Sequence, residues 1–446
     1  MLNPGRRRFL KGAVGASLAL GTIGWSAHSR ADLPGYRALV CVFLYGGNDS
    51  FNMVVPRSDA EYGVYAQSRQ NLAIPQDALL PITPTNPDGA AYGLHPSMPG
   101  MQALFETGRA GIVANVGPLL EPATREQVLD KSVAVPPQLF SHNDQQDQWQ
   151  TLRGRQLLNT GWAGRMADLL AAQTASQPLP VNLSLSGVAR LQVSADRPAY
   201  VMGPQGPVEY AALTPAVPGG AARRAAFEAL LAAGSPSPYG RALIDVHRRS
   251  LDAAGVVNSA LDAGPPLATA FPDSSLGQQL QTVVRLIAAR ERLGSNRQVF
   301  FVSTGGFDTH DDQNDLQPAL LGGLSAALAS FQAALEEIGA AELVTAFTMS
   351  DFGRTLTSNG DGTDHGWGGH QLVIGGSVIG RRIYGVMPQL EIGGPDDVNE
   401  GRIVPTTSVD QYAATLASWF GVGDDELGVV APNLDNFGVK NLGFLG

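Results

Sequence analysis

Short apolar runs separated by longer amphipathic stretches are the feature that most limits how this chain can fold. The runs are rich in β-branched and aromatic residues, which is typical of buried strands; the clearest are Ala38 to Tyr45, Gly111 to Val116, Gln298 to Thr304, Leu343 to Met349 and Gln371 to Ile374. Helical periodicity is found in Pro99 to Glu106, Leu276 to Arg292, Leu316 to Ile338 and Val409 to Phe420. Because alternating strands and helices are joined by crossover connections, we predict an α/β fold with a mainly parallel sheet covered on both faces.

One stretch, from about residue 175 to residue 272, breaks this alternation. It combines turns rich in Pro and Gly, such as Pro218-Gly219-Gly220, with Ala-rich helical sequence. Such turn clusters are typical of loops and not of low-complexity tails. We interpret 175–272 as an insertion or cap on an α/β domain that covers residues 32–446.

The N-terminus has the pattern of an export signal. Paired arginines lead into an apolar stretch and then a small-x-small cleavage site; the segments are Arg6-Arg7-Arg8-Phe9-Leu10-Lys11, Ala13 to Trp25 and Ser29-Arg30-Ala31. The alternatives are a membrane anchor and a basic arm, but the apolar stretch is short and rich in Gly and Ala for a membrane span. Residues 1–31 therefore resemble a twin-arginine signal peptide. We expect the mature protein to leave the cytoplasm through the twin-arginine export machinery and to be periplasmic or secreted.

The charge of the mature chain limits its partners. Five of the 30 Lys and Arg residues and none of the 40 Asp and Glu residues precede position 32, which leaves a net charge of −15. Such a surface argues against nucleic acid or anionic lipid as the main partner, although a metal ion or an arginine can reverse the field locally. We also expect no integral membrane segment in the mature chain. The single cysteine, Cys41, excludes internal disulfides.

Three of the predicted strands run into a turn of small residues that is followed by an acid. The acids are Asp49, Asp308 and Asp351. In open α/β sheets the ligand crevice lies outside the carboxyl ends of the strands, so we expect the three carboxylates to converge at one edge. The alternative is that each acid caps the helix that follows it.

A histidine follows the acid in one of these loops, and a fourth loop contains another. His310 comes after Asp308, and His365 lies in the loop Thr363 to His370 before another strand. A mixed set of carboxylates and imidazoles suits a divalent metal ion, and Zn, Mn or Fe better than Mg or Ca. The alternative is that each histidine satisfies a loop carbonyl.

The segment Phe140 to Thr151 is polar and is predicted to start a helix, with Ser141 at or near its N-cap and His142 next to it. Free backbone N–H groups at a helix start favour an anion, and a hydroxyl beside a metal can act as a nucleophile. A plain Ser N-cap is the alternative.

Together these motifs resemble the family called domain of unknown function 1501. The matching segments occur in family order over nearly the whole mature chain and are Leu44-Tyr45-Gly46-Gly47-Asn48-Asp49, Gly161-Trp162, Phe307-Asp308-Thr309-His310, Ser350-Asp351-Phe352-Gly353-Arg354-Thr355, Asp364-His365-Gly366 and Gly401 to Thr407. The family is similar, more distantly, to the alkaline phosphatase and sulfatase superfamily.

That second resemblance implies an alkaline-phosphatase-like three-layer α/β sandwich with a metal site at the strand ends. It implies Ser141 as the nucleophile and a metal ligand set, which is Asp49, Asp308, His310, Asp351 and His365. Two positions depart from the superfamily pattern: Phe352 stands where a histidine is expected, and Leu152 follows Thr151 where a glycine is expected.

Two functions are consistent with these observations. The first is an exported, metal-dependent hydrolase of a phosphate or sulfate ester, carried by a small molecule or a polymer. In it Ser141, His142 and Arg354 are the candidate catalytic residues, with Arg354 as a clamp for the ester oxygens. The second is a non-catalytic exported protein that binds a metal or a polysaccharide with the same loops.

Overall fold

In the computed structural model of the protein, the described residues are Leu33, 35–208 and 210–446. The predicted twin-arginine signal peptide, residues 1–31, lies outside them. Residues Gly35–Gly446 form one unit.

The apolar runs form strands, and short strands lie between them. In chain order the strands are β1 Arg37–Leu44, β2 Val54–Pro56, β3 Leu80–Ile82, β4 Tyr92–Leu94, β5 Ala110–Gly117, β6 Asn182–Ser184, β7 Tyr200–Val201, β8 Arg297–Thr304, β9 Val344–Ser350, β10 Arg354–Ser358, β11 Thr363–His365, β12 Gly369–Gly375, β13 Ile383–Tyr384 and β14 Thr407–Ser408. Strands β1, β5, β9 and β12 are buried along their whole length or all but one residue of it. Strands covered on both faces are typical of parallel sheets.

The main sheet has the strand order β13-β5-β12-β9-β1-β8-β6-β7, and β14 also pairs with β5. Strand β12 is antiparallel to both of its neighbours, β5 and β9. The other pairs of this sheet are parallel. Strands β2, β4 and β3 form a small sheet, and β10 pairs with β11 in a hairpin. The mainly parallel central sheet that the sequence predicted is confirmed.

Helices cover both faces of this sheet. In chain order, the α-helices of the described residues are α1 Asp59–Arg69, α2 Pro99–Glu106, α3 Arg125–Leu129, α4 His142–Thr151, α5 Trp162–Leu169, α6 Gly220–Ala233, α7 Pro238–Asp262, α8 Ser275–Ala288, α9 Gln313–Glu337, α10 Val409–Phe420 and α11 Leu427–Val430. On one face, Val40 of β1 shares a core cluster with Leu280 of α8 and Leu328 of α9. On the other face, the Phe347 ring of β9 lies 5.7 Å from Trp162 of α5 and 6.0 Å from Tyr412 of α10. The molecule therefore has three layers.

The segment 175–272, which the sequence predicted to be an insertion or cap, contributes to two parts of the fold. Its first part supplies β6 and β7, which extend the main sheet at the edge beyond β8. Its second part supplies α6 and α7, which form an exposed helical hairpin.

Helix α9 corresponds to the predicted helix Leu316 to Ile338. Unlike the prediction, which expected no membrane-spanning stretch, it is long and apolar enough to cross a membrane by length and composition alone. Half of its apolar window is buried inside the protein. Its buried face carries Leu324, Leu328 and Phe331 into the same core cluster as α2 and α8. This packing is typical of the core helix of a globular domain.

Candidate metal centre

The site lies at the edge where β9, β1 and β8 end side by side. These three strands are adjacent and parallel, so the loops that follow them leave the same edge of the sheet. Gly46 after β1 has a φ of +115°, and a Cβ there would lie 2.4 Å from the backbone nitrogen of Asp308. Glycine therefore lets the loop after β8 lie directly against the loop after β1.

Three imidazoles and one carboxylate converge at this edge. The described residues include a group, His142, Asp308 and His365, whose ligand atoms all lie within 4.8 Å of one another. His142 Nε2 is 3.3 Å from Asp308 Oδ2, and His365 Nε2 is 3.4 Å from Asp308 Oδ1. His310 joins the group, because its Nε2 lies 2.9 Å from His365 Nε2 and 3.1 Å from Asp308 Oδ1.

The second nitrogen of each imidazole faces an acceptor. His142 Nδ1 lies 2.7 Å from Asp351 Oδ2, His310 Nδ1 lies 3.1 Å from Asp364 Oδ1, and His365 Nδ1 lies 2.7 Å from the Phe140 carbonyl oxygen. A carboxylate or carbonyl oxygen can only accept, so each Nδ1 carries a proton and donates it. In the neutral rings the three Nε2 atoms then present lone pairs, and all of them face Asp308.

This donor set fits a divalent transition metal. Neutral imidazole nitrogens and a carboxylate are ligands of Zn, Mn and Fe, and protein ligands of this kind usually donate their other N–H to a carboxylate or a carbonyl. The contact of 2.9 Å between His310 Nε2 and His365 Nε2 brings two lone pairs together. Such a contact is favourable only when a proton or a cation is shared between the two nitrogens.

Two fully buried side chains support the partly exposed ligands. The Asp308 side chain is 43% exposed, whereas those of Arg354 and Asp351 are completely buried. Arg354 Nη1 donates to Asp308 Oδ1 over 2.6 Å, and its other N–H groups donate to Thr363. The hydrogen-bonding groups of Arg354 therefore point at protein oxygens. In this arrangement Arg354, which the sequence predicted as an ester clamp, positions Asp308.

The electrostatic environment favours the charged form of the Asp308 carboxyl group and the neutral form of the His365 imidazole. Burial opposes the charge of Asp308, but the hydrogen bond and charge of Arg354, with His310 and His142, outweigh it and lower the pKa of the carboxyl group. Burial lowers the pKa of His365, against the opposing effect of the Phe140 carbonyl. The carboxylate is therefore charged and the His365 imidazole neutral near pH 7.

Phe352, where the resemblance led us to expect a histidine, lies beside His142. Phe352 is buried, and its ring lies 4.9 Å from that of His142 and 4.5 Å from that of His365. Phe352 thus forms an apolar wall behind the imidazoles. Asp351, predicted as a metal ligand, contacts His142 through Oδ2 and also accepts a hydrogen bond of 2.8 Å from Gln146.

Asp49, also predicted as a metal ligand, lies in a different network. Its side chain is buried and forms an ion pair with Arg69 of α1, whose side chain is buried too. Gln313 Nε2 donates to the same carboxylate oxygen, and Gln317 Nε2 donates to the Asp49 carbonyl oxygen. The structure thus brings Asp308, His310 and His365 together with His142, and holds Asp49 by an arginine.

Ser141 is the N-cap residue of α4, as its sequence context predicted. Its hydroxyl does not accept a backbone hydrogen bond. Instead, Ser141 Oγ donates to Asp144 Oδ2 over 2.8 Å. The hydroxyl therefore has a carboxylate partner that could accept its proton, and it immediately precedes His142.

A polar cleft of about 390 Å³ lies along α4. It is lined by Tyr45 at the end of β1 and by Gln146, Asp147 and Arg153, among others. Gln146 also donates to Asp351. The cleft and the imidazole cluster are therefore neighbours, joined through Gln146.

Two other histidines of the motif-bearing loops lie outside the cluster. Burial lowers the pKa of His95 to about 4 and that of His370 to about 3. Each accepts a backbone N–H at Nδ1, from Ser97 and Asn115 respectively. These two side chains are neutral parts of the core.

Sequence reasoning missed several groups that hold the predicted site residues in place. Asp364, which fixes His310, directly precedes His365 in a motif already singled out, so its position in that motif was an available signal. Arg69 and the Phe140 carbonyl carry no motif, and their roles follow only from the fold.

Comparison with known proteins gives a family and several distant structures. The family model described as "Protein of unknown function (DUF1501)" matches residues 36–429, which confirms the resemblance drawn from the motifs. A search of curated proteins found no match. Similar solved structures include Ps i-CgsB in complex with k-i-k-neocarrahexaose, with a TM-score of 0.36 and 8% identity over 88% of this chain and 74% of that chain.

Two more similar structures are a lipoteichoic acid synthase and a sulfatase. The synthase, LtaP from Listeria monocytogenes, has a TM-score of 0.33 and 8% identity over 87% of this chain and 72% of that chain. The sulfatase, PsFucS1 from Pseudoalteromonas sp., has a TM-score of 0.34 and 8% identity over 88% of this chain and 68% of that chain. At these TM-scores the likenesses transfer no residue role and no reaction to this chain.

Proposed function

The chain belongs to the family of proteins of unknown function DUF1501, and we propose from its own site that it is an exported, metal-dependent hydrolase of phosphate or sulfate esters. One observation carries the proposal. Three imidazoles, each held by a hydrogen bond at Nδ1, turn Nε2 toward a single carboxylate, that of Asp308.

The metal ligands in this proposal are His142, His310 and His365 through Nε2, and Asp308 through its carboxylate. Asp351 and Asp364 hold two of the imidazoles in the binding orientation. The mixed nitrogen and oxygen set favours Zn, Mn or Fe over Mg or Ca. Such an ion would polarise an ester oxygen and stabilise the negative charge that develops on it.

Ser141 is the proposed nucleophile. Its Oγ would attack the phosphorus or sulfur atom while its proton passes to Asp144, which already accepts its hydrogen bond at 2.8 Å. The bond from phosphorus or sulfur to the alcohol oxygen would break, and the alcohol would leave with that proton. Water would then release phosphate or sulfate from Oγ and restore the serine hydroxyl. The polar cleft along α4 would hold the rest of the substrate, with Arg153 and Gln146 among its hydrogen-bond donors. The ester could be borne by a small molecule or by a polymer.

Export belongs to the same proposal. The arginine pair, the apolar stretch and the small-x-small site of residues 1–31 support passage through the twin-arginine machinery. This route carries folded proteins, so a metal could be loaded before export. Replacing Arg6 and Arg7 with Lys should keep the protein in the cytoplasm, whereas unchanged export would reject the route.

The reaction is tested with the purified protein, by elemental analysis for metal and by hydrolysis of 4-nitrophenyl phosphate and 4-nitrophenyl sulfate. We expect His310→Ala to lose both metal and turnover, because it removes a ligand. Ser141→Ala should keep the metal and lose turnover by several orders of magnitude. The matched control is His247→Ala, a histidine on the exposed part of α7 that hydrogen bonds to Tyr210. Near-normal turnover by Ser141→Ala would show that Ser141 is only a helix cap.

A second candidate, a non-catalytic protein that binds metal or polysaccharide, is favoured by one observation. Arg354 is completely buried and its N–H groups face Asp308, Gly46 and Thr363, so it does not present a free cation to an ester. Stoichiometric metal without hydrolysis of either ester would support this candidate. Absence of both metal and hydrolysis would contradict the hydrolase.

A further inference from the structure

The helical hairpin of α6 and α7 projects from the rest of the protein. We define it as residues 220–252, which run from the start of α6 to the last residue before α7 meets the core. Between Ala221 and Asp252 the only buried residue is Leu231. Further along α7, Ala253 and Val257 pack into the core cluster. One end of the hairpin is thus anchored, and its tip is surrounded by solvent.

Large apolar side chains are exposed at this tip. Tyr239 is 85% exposed, Leu243 59% and Val246 51%. Their spacing of four and three residues puts them on one face of α7. Leu230 of α6 is 70% exposed and, like Tyr239, lies close in sequence to the connecting residues 234–237. The tip therefore presents an apolar stripe without a partner among the described residues.

The charge of the hairpin is opposite to that of the chain. The hairpin contains five arginines and three acids, so its net charge is +2, whereas that of the whole chain is −10. The arginines are Arg223, Arg224, Arg241, Arg248 and Arg249, and the acids are Glu228, Asp245 and Asp252. A second copy docked symmetrically on the same face would bring two positive surfaces together. An acidic surface is therefore the better complement.

From this combination we propose that the hairpin docks on the surface of an anionic phospholipid membrane. Amphipathic helices with arginines beside an exposed apolar stripe bind at the interface between headgroups and acyl chains. Tyr239, Leu243 and Leu230 would enter the interface. The exposed Arg249, and Arg224 in exchange for its surface pair with Glu228, would pair with lipid phosphates. The rest of the chain is strongly negative, so the membrane would repel it and the projecting hairpin would make the contact. This inference is independent of the proposed reaction.

The test is cosedimentation of the full chain with vesicles of phosphatidylcholine alone or with an equal part of phosphatidylglycerol. All proteins keep the same N-terminus, because residues 1–31 carry basic and apolar residues of their own. We compare a variant with Tyr239→Ser and Leu243→Ser, a variant with Arg224→Gln and Arg249→Gln, and the unsubstituted chain. The matched control combines Leu157→Ser with Arg197→Gln, which are exposed positions outside the hairpin.

We expect binding to the anionic vesicles that salt weakens, and each hairpin variant should partition at least about fivefold more weakly than the control. Circular dichroism confirms that the variants are folded. Equal binding by the variants and the control, or equal binding to both kinds of vesicle, would overturn the proposal. Light scattering tests whether a second copy of this chain covers the stripe instead. A dimer of the unsubstituted chain that the Tyr239→Ser and Leu243→Ser variant dissociates would support that alternative and overturn the membrane proposal.

Discussion

Replacing Asp351 with Asn tests whether this buried carboxylate holds His142 or binds the metal itself. Asp351 Oδ2 accepts from His142 Nδ1 over 2.7 Å, and the Asp351 side chain is completely buried. The amide keeps the shape of the carboxyl group and removes its charge. The imidazole then loses the partner that fixes its orientation and strengthens it as a donor.

The magnitude follows from the burial of this contact. Loss of such a supporting carboxylate weakens metal binding by about 10- to 100-fold, which corresponds to about 1.4–2.7 kcal/mol. The same change at Asp364 should cost less than about tenfold, because water can take the place of an exposed carboxylate. The Asp364 side chain is 55% exposed and its contact with His310 is longer, at 3.1 Å.

The assay is competition for Zn²⁺ and Mn²⁺ between the protein and a chelating dye, with thermal unfolding to confirm that each variant folds. We expect the order unsubstituted protein, Asp364→Asn, Asp351→Asn from tightest to weakest. Equal affinities in all three would refute the orienting role of Asp351. A loss far beyond about 100-fold for Asp351→Asn, with reduced metal content, would instead make Asp351 a direct ligand.

Two further predictions concern buried charges away from the imidazoles. Arg69→Leu leaves the buried Asp49 carboxylate without its cation and should lower the free energy of unfolding by about 3–5 kcal/mol in urea titrations. Adding Asp49→Asn should restore much of the loss and keep the metal, whereas loss of metal would make Asp49 a ligand. Burial raises the pKa of Asp410 to about 7, against the hydrogen bonds from Asn433. Because this folded pKa lies above the unfolded value, the stabilisation is complete below about pH 4 and is lost as the pH rises toward 7. Asp410→Asn should abolish that loss, and the exposed Asp435→Asn should leave it unchanged.

The five long strands of the main sheet, β1, β5, β8, β9 and β12, could be predicted because they are buried on both faces. Predicted Gln298 to Thr304 is β8, Arg297–Thr304, with one more residue at its start. The antiparallel direction of β12 was not predicted. The hairpin β10–β11 lies between β9 and β12 and returns the chain to the same edge of the sheet, and an apolar run carries no sign of its direction.

Part of the candidate metal centre could also be predicted, from the positions at which the strands end. Parallel strands that end at one edge bring their following loops together, and Asp308 does lie beside His365 in the structure. Side-chain partners could not be predicted in this way. Asp49 and Asp351 both follow strands of that edge, yet one faces Arg69 and the other faces His142.

By itself, the order of apolar runs, small-residue turns and acids determined that this chain forms a mainly parallel α/β sheet with polar loops at one edge. Those properties are local, since the hydrophobic pattern of a strand and the residues of a turn can be recognised within a short stretch of sequence. Only the tertiary structure decided which side chains of these loops form the candidate metal centre. His142 meets Asp351 across 209 positions of sequence, and its place beside Phe352 depends on how α4 packs against the end of β9. That packing sets the direction of each side chain. A metal-ligand geometry needs atoms from several loops at once, so the sequence of any one loop does not determine it.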